Sequence, residues 1–173
     1  MVKGRIASIQ EYWFVIVSDL VIVMGIFLIP TLAHLSPFPI YYLDPMRILL
    51  LIGYALTKSK NNSIILAIGI PLTSTFLSGH PLGYKAILIS VELLLNMTLY
   101  FKFIKVFQRY RALSLFTSII ASKLIYYMLK FIFLRYSLIY GPLVSTSIVV
   151  QLISVTAISV VYHIMIHKSH YQR

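Results

Sequence analysis

Runs of apolar residues succeed one another along almost the whole chain, with only short polar connections between them, and this pattern constrains the fold more than any motif. Crossing the roughly 30 Å hydrocarbon core of a bilayer takes about 20 such residues in a helix. A chain of 173 residues therefore has room for about five to seven spans and for no sizeable soluble domain. Composition agrees, because 60% hydrophobic residues, 11% charged residues and a mean hydropathy of +0.91 lie outside the soluble range. The expected fold is an all-α integral membrane protein, a single membrane domain over 1–173 without internal repeat or linker. With no cysteine, disulfides, thiolate nucleophiles and thiolate metal sites are excluded. The basic amphipathic start, MVKGRIASIQEY, runs into an apolar stretch without an A-x-A-like cleavage site and is expected to be retained.

Spanning helices are predicted at about 13–33, 45–56, 63–77, 82–103, 112–134 and 143–166. The net charge of +11 does not point to nucleic acid, because the basic residues gather in alternate connections and tails: Lys3 and Arg5, Lys58 and Lys60, then Lys102, Lys105, Arg109 and Arg111, and finally Lys168 and Arg173. That alternation is the positive-inside pattern. It predicts six transmembrane helices with both termini cytoplasmic, the inner basic residues facing anionic membrane lipid. The outer connections, near 34–46, 77–84 and 135–142, are instead rich in His, Pro, Tyr and Asp. Tyr41, Tyr42, Tyr126, Tyr127 and Tyr140 are expected mainly as interfacial anchors, with a pocket lined by a few of them as the alternative.

Charges inside spans are more informative, since an ionised side chain near the bilayer centre costs at least about 2.5 to 3.5 kcal/mol and faces a partner or a wet cavity. Asp19, Glu92, Lys123 and Lys130 fall in such positions. Opposite signs at similar depth allow Glu92 and Lys123 to neutralise each other. Alternatively, Glu92 and the more outward Lys130 line a cavity, with Asn96, one turn from Glu92 on the same helix face, as a hydrogen-bonding floor. Asp19, close to the inner boundary, is expected to contact the interface or a partner. The outer mouth would hold His34, Asp44, Arg47, His80, Tyr84 and Lys85. That set is net positive, so the expected ligand carries a carboxylate or other anionic group on an aromatic or heterocyclic body.

The sequence PLTSTFLSGHP followed by KAILISVELLLNMTLY resembles the core of the substrate-binding S components of energy-coupling-factor transporters, in which a P-L-x-S-like helix end and a T/S-G-x-P turn precede a helix carrying E-L. The likeness extends over about residues 24–103, taking in LIPTLAH and DPMRILLLIGYAL. It implies a six-helix bundle in a bacterial cell membrane that captures a vitamin-like nutrient near its outer face. It further implies a transmembrane coupling subunit and two ATPase subunits acting in trans, with no cofactor, no catalytic residue and no metal in the chain itself. The A-x-x-x-A pattern that many S components carry on helix one is missing, and Ser18 and Gly25 are the nearest small residues. Val2 follows Met1, so the Met-His start of nickel and cobalt versions is absent too. His163, His167 and His170 lie at the cytoplasmic end with helical spacing and are expected at the interface. The chain has no G-x-x-x-x-G-K-[ST] run for a nucleotide.

A second resemblance, to the rod-shape membrane scaffold MreD, rests on LDPMR and HPLGYKA. A scaffold has no use for Glu92 in mid-span, and Gly69 to Thr73 stand where that family has an aspartate. An intramembrane enzyme is disfavoured, because Glu11, Asp19, Asp44 and Glu92 are the only carboxylates and offer neither a paired acid and base nor an Asp-rich metal motif.

Overall fold

The computed structural model describes residues 2–37, 40–79, 81, 83–108 and 110–171. Among them the regular structure is entirely helical: α1 (Val2–Leu35), a single 3-10 turn (Ile40–Leu43), α2 (Pro45–Thr57), α3 (Lys60–Ser78), α4 (Tyr84–Val106), α5 (Arg111–Arg135) and α6 (Ile148–Tyr171). Among the described residues four stretches, Tyr12–Leu32, Tyr84–Val106, Arg111–Arg135 and Ile148–Met165, are long and apolar enough to cross a membrane. α2 is apolar but has 13 residues, which at 1.5 Å per residue reach about 20 Å.

The outward face of the bundle is greasy, as lipid requires. Within the described part of α1 only Ser18, Ile22 and Ile26, spaced one turn apart, are buried. Trp13, Phe14, Leu20, Met24 and Phe27 on its other faces are exposed. α1 packs on α2 and α3, and α3, α4, α5 and α6 then follow as successive neighbours. The 3-10 turn touches α1, α2 and α6 and so bridges the two edges of this arrangement.

Local sequence sets the boundaries. Asp44 caps α2 in the left-handed region (φ 52°), a conformation that Asp tolerates, and Pro45 then supplies a preset first helical φ. The Ser59 side chain accepts a hydrogen bond from the Asn62 backbone N–H at 3.2 Å and starts α3 three residues before the predicted 63. Gly79, at φ 68°, ends it. α6 begins at Ile148, later than the expected 143, because Pro142 and the polar run Ser145, Thr146, Ser147 stay non-helical.

The core joins Ile22 and Ile26 of α1 to Leu50 and Leu51 of α2, Leu66 and Ile70 of α3, Met97 and Tyr100 of α4, Ile119 of α5 and Val155 of α6. Gly53 permits the closest approach: a Cβ there would lie 2.6 Å from Leu66 Cδ1 and 2.7 Å from Ile22 Cδ1. Between α4 and α5 the seam is built from small residues, Ser114, Ser118 and Ser122, all fully buried.

Candidate functional site

Four charged side chains from three separate parts of the chain meet near one end of the bundle. Arg47, in the first turn of α2 and fully buried, hydrogen-bonds Glu92 of α4 through Nη2 and lies 3.0 Å from Asp44 Oδ2 through Nη1. Lys123 of α5 completes a ring, with its Nζ 3.5 Å from Glu92 Oε1 and 3.6 Å from Asp44 Oδ2. Two acids and two bases leave the ring neutral, which is how buried ions are tolerated. Asp44 makes no side-chain capping bond to α2, its carboxylate being turned to the two bases instead. Burial opposes ionisation of Asp44, but attraction to Arg47 and Lys123 outweighs it and holds the carboxyl below its usual range.

The ring forms one wall of a cavity of about 390 Å³. Loops before three helices contribute lining: Tyr41, Tyr42 and Asp44 before α2 and Pro81 before α4, both in connections predicted on the outer side, and Ser145 and Thr146 before α6, which the sequence places inside the sixth predicted helix. α5 supplies Lys123, Tyr126, Tyr127 and Lys130, at i, i+3, i+4 and i+7, one face of a helix. Hydrogen bonds brace the walls. Tyr127 donates to Gln151 Oε1 at 2.8 Å, Gln151 donates to the Thr146 carbonyl at 2.7 Å, and Ser154 donates to the Tyr42 carbonyl at 2.8 Å.

Lys130 differs from the ring. It is 7% exposed, borders the cavity and lies 6.0 Å over the Tyr126 ring. Among the described residues no carboxylate is within ion-pair distance of it, since Asp44 and Glu92 are both committed to Arg47 and Lys123. Lys85 of α4 lines the same cavity, and its ammonium repels that of Lys130. Two cations facing one space without a counter-ion make it attractive to an anion.

The sequence-derived residues divide accordingly. Asp44, Lys85, Glu92 and Lys130 border the cavity, and Arg47 stands behind Glu92. Asn96 does not border it: the Asn96 side chain donates to Ser118 Oγ at 2.9 Å inside the α4–α5 seam. Tyr84 lies outside as well, half-exposed and stacked edge-on against Phe133. His34 ends up in the last turns of α1 with its side chain outside the described ones, and His80 falls outside the described residues altogether. Asp19 accepts a hydrogen bond from the Asn62 side chain at 2.9 Å, a contact within the bundle. Among the described residues no cluster of His, Asp and Glu is arranged to hold a metal ion.

Sequence reasoning underrated Lys123, Tyr126, Tyr127 and Gln151. The signal for the first three was present in their spacing with Lys130 along one face of α5. Comparison with known proteins finds no family model, no curated relative and no solved structure that matches the chain.

Proposed function

We propose that this protein is a membrane-embedded capture subunit that takes a small anionic molecule into the cavity between α1, α4, α5 and α6. The observation that carries the reading is Lys130, a buried cation on the cavity wall with Lys85 beside it and no acid in reach among the described residues. An uncompensated charge in an apolar bundle is costly to keep, and a ligand that neutralises it accounts for its presence. A volume of about 390 Å³ suits a metabolite-sized compound. The resemblance of PLTSTFLSGHP and the following E-L helix to S components of energy-coupling-factor transporters supports uptake as the purpose. In that reading six helices cross a bacterial cell membrane with both termini inside, the cavity faces out, and a coupling subunit with two ATPases drives release inward. The chain acts by binding and not by catalysis.

The test is purification of the full chain in mild detergent, followed by mass spectrometry of what it releases on denaturation. An anionic small molecule is expected at near-stoichiometric amount, and Lys130→Gln should lose most of it. Recovery of cell-wall synthesis proteins with no small molecule would favour the scaffold reading instead.

A further inference from the structure

The two ends of the cavity wall formed by α5 are chemically unlike. Lys123 and Lys130 are seven residues apart, which separates their Cα atoms by about 10.5 Å along the helix. At the Lys130 end, Lys85 adds a second cation, and among the described residues no carboxylate compensates either. At the Lys123 end the charge is already balanced, yet Asp44 and Lys123 both border the cavity and keep partly exposed side chains 3.6 Å apart. Between the ends lie the rings of Tyr126 and Tyr127, with Tyr41 and Tyr42 also on the lining.

We infer that the ligand is two-ended: a flat heteroaromatic body with a single anionic group at one end and an uncharged lactam- or amide-like edge at the other. This rests on the capture reading and names its substrate class. The anion belongs with Lys85 and Lys130. A second anion at the far end would meet the carboxylates of Asp44 and Glu92, and a cation there would meet Arg47 and Lys123. An N–H beside a C=O meets neither penalty, because Asp44 accepts from the N–H while Lys123 donates to the carbonyl. A site whose polar groups are placed this way discriminates strongly against a ligand that leaves them unpaired.

Three compounds separate the parts: 4-oxo-3H-quinazoline-7-carboxylate, which has edge, body and anion; quinazolin-4-one, which lacks the anion; and naphthalene-2-carboxylate, which lacks the edge. Isothermal titration of the full chain in detergent, stripped of bound small molecules, should give the first compound at least roughly tenfold tighter binding than either of the others. Lys130→Gln should erase its advantage over quinazolin-4-one. Asp44→Gly, which keeps the left-handed cap and removes the acceptor, should erase its advantage over naphthalene-2-carboxylate while leaving the dependence on Lys130. Equal affinity for the two carboxylates would overturn the two-ended ligand and leave anion capture standing. Equal affinity for the first compound and quinazolin-4-one would overturn both, and binding of none of the three at millimolar concentration would overturn the two-ended ligand alone.

Discussion

The ring of Asp44, Glu92 and Lys123, with Arg47 behind it, and the pair Lys85 and Lys130 border one cavity, yet they handle charge in opposite ways. In the ring every charge has a counter-charge within 3.6 Å, and the four side chains tie α2, α4 and α5 together. The lysine pair has no counter-charge among the described residues and ties nothing together. On the capture reading the compensated ring serves the fold first and the uncompensated pair serves the ligand's anion, so substitutions in the two places should move stability in opposite directions.

The largest effect is expected in the ring. Arg47→Met leaves Asp44 and Glu92 with Lys123 alone, and breaking a buried pair in this way costs about 3 to 5 kcal/mol. Thermal unfolding in detergent should show a steep loss. The double variant Arg47→Met, Glu92→Leu leaves the balanced pair Asp44 and Lys123 and should recover much of it. A double variant no better than the single would mean that shape and not charge holds α2 to α4.

Next in size is a change that touches neither region. Gly53→Ala puts a Cβ within 2.7 Å of Leu66 and Ile22, and overpacking of that kind costs about 1 to 3 kcal/mol. Affinity for ligand in the surviving folded protein should be unchanged, which separates a packing defect from a cavity defect.

Lys130→Met reverses the sign. Removing a buried charge that has no partner should raise the stability of the ligand-free protein by about 1 kcal/mol while abolishing anion binding. A fall in stability of similar size would show that Lys130 has a structural role after all and would bring the two regions together.

Much of this contrast was legible in the sequence, for a physical reason: lipid makes an in-span charge so costly that Glu92, Lys123 and Lys130 stand out without any structure. Asp44 and Arg47 were legible as residues of the outer mouth, though as ligand contacts and not as partners in an ion pair. What hydropathy could not convey was rotation and local separation of helices. Asn96 shares the face of Glu92 one turn away, yet there α4 and α5 close over Ser114, Ser118 and Ser122, and no space is left for a cavity floor. The start of α6 was blurred for a related reason, since Ser145 to Ser147 sit inside a window whose mean remains apolar although Ser145 and Thr146 line the cavity. Tyr126 and Tyr127 looked like interfacial anchors because composition carries no information on which face they share with Lys130.

Lys123 belongs to both regions, and its substitution should have the smallest effect on stability. Its Nζ sits 3.5 and 3.6 Å from two carboxylates that Arg47 already holds, and its side chain is 21% exposed. A partly exposed pair of this sort contributes about 0 to 1 kcal/mol. Lys123→Gln should therefore shift unfolding by less than any change above, keeping a hydrogen-bond donor toward Asp44 and Glu92 while making the ring net negative. That added negative charge should weaken binding of an anionic ligand modestly, through repulsion across the cavity, and the weakening should shrink as salt is raised. A loss of stability as large as that of Arg47→Met would instead place Lys123 at the centre of the ring. The division between a structural and a ligand-facing set of charges would then run between α5 residues 123 and 130, leaving Lys130 with Lys85 as the whole of the ligand-facing part.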